Sequence, residues 1–380
     1  MKKIIIIGSA WPLRGGGLST FNERLAKALL DAGNEVIIYT FSLQYPSFLF
    51  PGKSQYSEEE APKELNIQVR INSINPLNWL RVGKEIKKLN PDYIIIRYWI
   101  PFMAPCLGSI ARIAKSSYTK VIAITDNVIP HEKKPGDSLL SRYFIKSVDG
   151  FITMSRSVLS DLEKFDKKKP KSFCLHPLYD SYGDIIHKVE AKQQLNLDKE
   201  TAYILFFGFI REYKGLDLLL EAFTDKRLRQ KNVKLLIAGE FYTNPDPYLK
   251  IIEESGIKND VLLHTFFIPN EKVAAYFCAS DIIVQPYKDA TQSGVTQTAY
   301  HFNKPMLVTD VGGLAETVPH GKVGYVVKPD AKQIADSLND FFENNKEELF
   351  MQGAMKEKKK FSWEQFVDCI ETLYAKLLEK

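Results

Sequence analysis

Short continuous apolar runs, each leading into a glycine-bearing corner and then a helix, constrain this chain more than any other feature. The clearest instance lies between Asp281 and Gly324. A strand is predicted over Asp281–Gln285, followed by a loop, Ser293-Gly294 and a helix. Lys304-Pro305 then leads into a second strand, Met306–Thr309, and into Asp310-Val311-Gly312-Gly313-Leu314-Ala315-Glu316. Each strand-to-helix corner presents unpaired backbone N–H groups and the positive end of a helix dipole, which favour an anion. Two such corners in tandem suit a diphosphate. A third, Gly15-Gly16-Gly17, follows the apolar run Ile4–Ile7. Together they point to a nucleotide-type ligand.

The same rhythm runs through the chain. Ile4–Ile7 reads as a parallel strand buried on both faces. A helix begins near Ser19, with Leu18, Phe21, Leu25, Ala28 and Leu29 on one face, and Gly33 ends it. Further strands are predicted over Glu35–Thr40, Ile67–Ile71, Tyr93–Arg97, Val121–Thr125 and Phe151–Met154. Asn90-Pro91 stops a helix carrying Leu77, Leu80, Ile86 and Leu89. The pattern breaks over Asp166–Lys199, where we expect the interdomain linker. A second series follows, with strands over Tyr203–Phe207, Lys234–Ala238, Val261–Phe266, Asp281–Gln285 and Met306–Thr309. Phe361–Leu378 reads as one amphipathic helix. The expectation is an α/β protein of two doubly wound, Rossmann-like domains facing across a cleft, with ligands at the carboxyl ends of the strands. The expected parts are residues 1–185, residues 186–358, and a C-terminal helix over 359–380 packing back on the first domain.

A length of 380 residues, 45% hydrophobic, supports two domains with their own cores. The net charge of +5 is too mild for a nucleic-acid binder. It fits phosphate ligands, contact with an anionic membrane, or a solvated basic surface. The lysine-rich runs Lys167–Lys171 and Lys356–Lys360 carry the same two readings, lipid contact or solvation. Cys106, Cys174, Cys278 and Cys369 are far apart, with no CxxC, so free thiols in a reducing compartment are expected and a metal site is not. Ile4–Ile7 is too short for a signal-peptide core, and no apolar run reaches about 18 residues. The cytoplasm is therefore the expected location, with peripheral placement at the inner face of the membrane as a variant.

Six segments resemble the retaining glycosyltransferases of the GT-B fold classed as family 4 (group 1). They are Gly15-Gly16-Gly17; Phe206-Phe207-Gly208-Phe209-Ile210-Arg211-Glu212-Tyr213-Lys214-Gly215; Ile237-Ala238-Gly239-Glu240; Ala279-Ser280-Asp281 through Pro286-Tyr287; Lys304-Pro305; and Val311-Gly312-Gly313-Leu314-Ala315-Glu316 with Gly321 and Gly324. The resemblance spans nearly the whole chain. It implies sugar transfer from a nucleotide sugar with retention of configuration, usually without metal, and the chain has no Asp-x-Asp motif. It departs from the family at a pair of glutamates eight positions apart before Lys-Pro. Ala290 and Thr298 stand there, while Asp289 and Gln297 share the offset one position earlier.

The resemblance also assigns candidate roles. Arg211 and Lys214 would neutralise the donor diphosphate, whose charge grows as the glycosidic bond breaks; two solvated cations are the alternative. The family has arginine directly after the glycine at Gly208, where this chain has Phe209. Gly16 and Gly17 would pass under the donor phosphate or acceptor, or simply form a corner. His131 would contact the donor sugar; a structural histidine is the alternative, and His176 and His264 read as structural. Glu316 would accept the ribose hydroxyls, or be an early-helix acid favoured by the dipole. Ser293, Gly294 and Val295 would offer N–H groups to the distal phosphate, with Asp289, Gln292, Gln297 and Thr298 around the same corner and Gly313 in the next. Phe267 and Ile268 would flank the base.

The reading is a retaining, metal-independent glycosyltransferase with no cofactor, taking a nucleotide sugar and a glycan or lipid-linked acceptor in polysaccharide or glycoconjugate assembly. Alternatives are a UDP-sugar epimerase of the same fold and a non-catalytic nucleotide-sugar-binding subunit. A dinucleotide oxidoreductase is more distant, because the first corner lacks G-x-G-x-x-G.

Overall fold

The computed structural model describes residues 1–14, 16–46, 54–58, 60–129 and 134–379. The chain divides into two compact units. One is Met1–Pro177 together with Phe361–Lys380, and the other is Leu178–Lys360. The division therefore falls after Pro177, so residues up to 185 that were expected in the first domain belong to the second unit.

Among its described residues the first unit holds seven parallel strands: β1 (Lys3–Ile7), β2 (Glu35–Leu43), β3 (Ile67–Asn72), β4 (Tyr93–Tyr98), β5 (Lys120–Thr125), β6 (Gly150–Thr153) and β7 (Lys171–Phe173). Their order is β3-β2-β1-β4-β5-β6-β7, and it reverses between β1 and β4. The isoleucine runs explain the centre of the sheet. Ile4–Ile7 and Ile94–Ile96 are closed to solvent, and a strand apolar on every residue is stable only with both faces covered. Ile4 pairs with Val36 on one side and Tyr93 on the other.

The C-terminal helix Trp363–Leu378 belongs to this unit. It buries Phe366, Ile370, Leu373 and Leu377, and Tyr374 lies against Tyr93 with ring centroids 4.7 Å apart. Phe21, from the helix Ser19–Asp31, meets Trp363 at 5.1 Å and Phe366 at 5.6 Å. His176 packs its edge against the same Phe21, and its Nδ1 lies 2.8 Å from the Pro177 carbonyl. Burial and the nearby Arg97 cation push the imidazole down to about 3, in keeping with a structural, neutral histidine.

Two expectations are corrected here. Cys174 and Cys369 form a disulfide across a sequence separation of 195, and only Cys106 and Cys278 are free, both buried. Local spacing carries no sign of a pairing so distant. The segment 166–199 is not a linker throughout. Its start supplies the edge strand β7, paired with β6 through Phe151 and Lys171. Its end forms the helix Lys188–Gln194, where Lys188 bonds Asp281 and Glu347 at 2.6 Å.

The second unit holds six parallel strands: β8 (Ala202–Phe207), β9 (Val233–Ala238), β10 (Val261–His264), β11 (Ile282–Gln285), β12 (Met306–Thr309) and β13 (Gly324–Val327). Their order is β10-β9-β8-β11-β12-β13, reversing between β8 and β11. Among the described residues no helix is long and apolar enough to cross a membrane.

Candidate functional site

In an open parallel sheet, the loops after the two strands flanking the reversal diverge and leave a crevice. In the second unit these are the loops after β8 and β11. The β8 loop starts at Gly208, whose φ is 96°, and its N–H bonds the Ala238 carbonyl at 2.9 Å. The chain then passes Phe209, Ile210 and Arg211 and makes a single 3₁₀ turn over Glu212–Lys214. Gly215 closes that turn at φ 67°, and a Cβ there would stand 2.0 Å from the Pro286 carbonyl oxygen. Only glycine lets the turn carrying Lys214 dock so closely on the β11 corner. Lys288 N–H bonds the Tyr213 carbonyl at 2.7 Å and fixes the same contact.

Lys214 is half-buried, and its ammonium lies where the loops converge. Nζ is 3.2 Å from the place a Cβ on Gly208 would occupy, and 5.6 Å from the centre of the Tyr287 ring. Val295, in the first turn of the helix Gly294–His301, borders the same space at 3.8 Å. Burial, with the Arg211 cation adding to it, pushes the ammonium down to about 8. Arg211 itself lies over Tyr242, 5.3 Å from the ring centre. Tyr242 stacks on Phe209 at 4.3 Å, and Phe209 faces Phe267 at 6.4 Å. Phe209 thus replaces the family arginine with an aromatic ladder across the ends of β8, β9 and β10. Ile268, beside it, is buried.

The helix Gly294–His301 begins without a side-chain cap. The Ser293 hydroxyl is 3.4 Å from the Tyr287 hydroxyl, and a Cβ on Gly294 would stand 2.5 Å from the Tyr179 ring. The next corner packs against this one. Gly312 has φ 50°, a Cβ there would stand 1.5 Å from the Ala290 oxygen, and Gly313 N–H bonds the Thr291 carbonyl at 3.2 Å. Thr309 Oγ1 donates to the Tyr287 carbonyl at 2.6 Å. The two glycine corners are therefore back to back, with an uncapped helix start and a cation beside them.

The structure gathers Gly208, Lys214, Ser293, Gly294, Val295 and Gly313, and places Arg211 close enough to act on Lys214. Glu316 is exposed in the first turn of the short helix Leu314–Thr317, and its carboxylate has no partner among the described residues. Asp289 and Gln297 do not form a surface pair: Asp289 is exposed, whereas Gln297 is 1% exposed. The offset of eight spans a loop and a helix start, so the two residues point differently. Gln292 is half-buried in the loop before Ser293. Thr298 is buried and turns its hydroxyl back to the Gly294 carbonyl at 3.0 Å. Gly16 and Gly17 lie in the first unit. Gly16 accepts from Thr20 N–H at 3.0 Å and donates to Thr20 Oγ1 at 3.1 Å, so it builds the start of the first helix. His131 and Gly15 lie outside the described residues. Sequence reasoning missed Tyr287 and Tyr179 as walls of the site, although Pro286-Tyr287 was part of the resemblance. No group of three His, Cys, Asp or Glu side chains among the described residues could hold a metal ion.

The chain matches the description "Glycosyl transferases group 1" over residues 187–358 and "Glycosyltransferase Family 4" over residues 15–173. It belongs to this family of GT-B glycosyltransferases and is a glycosyltransferase. A D-inositol 3-phosphate glycosyltransferase of Pseudarthrobacter chlorophenolicus is 28% identical over 361 residues, covering 86% of this chain and 81% of that protein. A second, from Corynebacterium aurimucosum, is 27% identical over 49% of this chain and 45% of its own length, less than half of either protein. The O-antigen chain mannosyltransferase C of Escherichia coli is 21% identical over 100% of this chain and 99% of that one. Among solved structures, sucrose-phosphate synthase from Thermosynechococcus elongatus superposes with a TM-score of 0.75 at 17% identity, covering 100% of both chains. Anabaena HepE in complex with UDP-glucose gives 0.74 at 15%, again covering 100% of both.

Proposed function

We propose that this glycosyltransferase works with retention of configuration and without metal. It moves a sugar from a nucleoside-diphosphate sugar to a glycan or lipid-linked acceptor in polysaccharide or glycoconjugate assembly on the cytoplasmic side. The observation that carries the reading is the Lys214 ammonium beside two back-to-back glycine corners and an uncapped helix start. As the glycosidic bond breaks, negative charge grows on the leaving diphosphate. A fixed cation, with Arg211 behind it, and free N–H groups stabilise that charge without a bridging ion. The leaving phosphate oxygen takes the acceptor's proton, so no separate general base is needed. The second unit is then the donor domain and the first the acceptor domain. HepE, with UDP-glucose, and the D-inositol 3-phosphate and mannosyl transferases support this donor class.

One observation favours a second reading, a nucleotide-sugar-binding subunit without turnover. Ala290 and Thr298 stand where the family has acids, and both are buried. A thermal-shift series with UDP, GDP, ADP and CMP and their sugar conjugates, with and without EDTA, tests the proposal. We expect one nucleoside diphosphate to raise the midpoint regardless of EDTA, and release of that nucleotide once acceptor is added. Binding without release would support the subunit reading. No shift with any nucleotide overturns both.

A further inference from the structure

We propose that Tyr242 is a positioning residue of this transferase: its ring holds the Arg211 guanidinium toward the donor diphosphate with the charge intact, as the Tyr287 ring does for the Lys214 ammonium. The role rests on the donor site proposed above. The Arg211 guanidinium lies 5.3 Å from the centre of the Tyr242 ring, and the Lys214 ammonium 5.6 Å from that of Tyr287. Both are within the roughly 6 Å over which a ring face attracts a cation. Among the described residues neither side chain has a hydrogen-bond or ion-pair partner. The two cations act on each other, since Arg211 works against the charge on Lys214. Like charges left together with no acid between them call for an anion.

Phe209 and Arg211 are two apart, and Arg211 has extended backbone, so both side chains turn to one side. Tyr242 meets them from beyond the end of β9. Its N–H donates to the Ile210 carbonyl at 2.9 Å, and Ile210 N–H donates to the Glu240 carbonyl at 2.9 Å. Phe209 stacks on the Tyr242 ring, with 4.3 Å between centroids and 28° between planes. The residue that replaces the family arginine is thus part of the mount for the arginine two positions on. A carboxylate in place of the ring would hold the guanidinium harder. It would also neutralise the cation and occupy the N–H groups that grip phosphate. Arginines elsewhere rest on rings too, Arg142 on Phe165 and Arg156 on Phe173. The ring alone therefore marks no site; the second cation and the glycine corner beside it do.

The test is calorimetric titration of UDP, GDP, ADP and dTDP into the full chain, continued with the tightest binder in a double-mutant cycle. Tyr242→Leu should weaken binding about five-fold, the scale of one cation–π contact. Tyr242→Phe keeps the ring face and should bind as the wild type does. Arg211→Ala should weaken binding about ten-fold. Adding Tyr242→Leu to Arg211→Ala should cost nothing further, because the ring acts through the guanidinium. A ring that merely supported the fold, or stacked on the base, would cost the same with and without Arg211. Tyr242 is half-buried, so melting midpoints check the fold, and Tyr242→Met takes the place of the leucine variant if that one melts early. Wild-type affinity without the ring, or losses that multiply in the double variant, overturns the positioning role and leaves the donor site standing. Wild-type affinity in Arg211→Ala overturns the reading of Arg211 as a diphosphate cation, and this role with it. No binding by any of these nucleotides overturns the donor site itself.

Discussion

Under the proposed role Lys214 combines two demands that conflict in a half-buried place: it is charged to meet a diphosphate, yet burial works against the charge. Its folded value of about 8 lies below the ordinary 10.5. Between those two pH values the unfolded chain binds more protons than the folded one, so stability of the unliganded protein rises with pH across that window. Below about 8 the ammonium is charged in both states and the burial penalty is fully present. The charged and titratable groups against it are Arg211 and Tyr287, and burial pushes the Tyr287 phenol above its usual range. A bound diphosphate favours the ammonium. Binding of UDP, or of whichever nucleoside diphosphate the protein selects, should weaken as pH rises past about 8 and take up a proton there. Lys214→Arg should bind equally at pH 7 and pH 9, because a guanidinium does not titrate in this range. Lys214→Ala should lose about ten-fold or more, the scale of one charge-assisted hydrogen bond. Calorimetric titration in two buffers of different ionisation enthalpy measures both; a wild-type affinity flat to pH 9 rejects the assignment. The position of Lys214 was legible from its place between Gly208 and Gly215. Tyr287 was not, because its ring reaches Lys214 only through the side-by-side placement of β8 and β11, which sequence neighbours do not encode.

At the scale of elements, the buried strands were legible because both-face burial writes an unbroken apolar run. β12 matches its expected bounds, Met306–Thr309. The strands that escaped notice lie at sheet edges. β7 reads Lys-Ser-Phe, three half-buried residues, and β13 is only Gly324–Val327. β7 has one neighbour and is partly solvated, which leaves too little apolar pattern to show, whereas β13 is buried but only four residues long and begins at a glycine. The tandem glycine corners were legible as strand-to-helix turns, but their mutual contact was not. That contact makes a prediction about what each glycine is for. Gly33 ends the first helix at φ 81° with open space around its Cβ position. Gly33→Ala should therefore cost only the positive-φ term, about 1 kcal/mol. Gly312 has positive φ as well, but its Cβ would collide with the Ala290 oxygen. Gly312→Ala must push the two corners apart, at a cost of at least about 3 kcal/mol, and should also weaken nucleotide binding. Urea unfolding of the two variants compares them directly; equal losses would mean that the corners do not touch.

At the scale of the molecule, the chain leaves the first unit at Pro177, builds the second, and returns at Phe361. The return is held twice, by burial and by a covalent bond. The C-terminal helix buries its apolar face, and Glu371 accepts from the Tyr93 hydroxyl at 2.9 Å and is paired with Lys2. Those contacts survive reduction, so the helix should stay docked without the disulfide. The cross-link between Cys174 and Cys369 acts mainly on the unfolded chain, by closing a loop that contains the whole second unit. For a loop of this size the effect is about 2–5 kcal/mol. Dithiothreitol should lower the melting midpoint of the wild type, and Cys174→Ser/Cys369→Ser should melt at the lowered value with or without reductant. Nothing in the sequence separates this state from four free thiols, because residues so far apart share no local pattern. Counting thiols does separate them. In denaturant without reductant, the protein should titrate only the two thiols of Cys106 and Cys278. After reduction it should titrate all four cysteines. Four thiols before reduction, in protein purified under air, would mean that the helix is held by packing alone, and the predicted response to dithiothreitol would vanish with it.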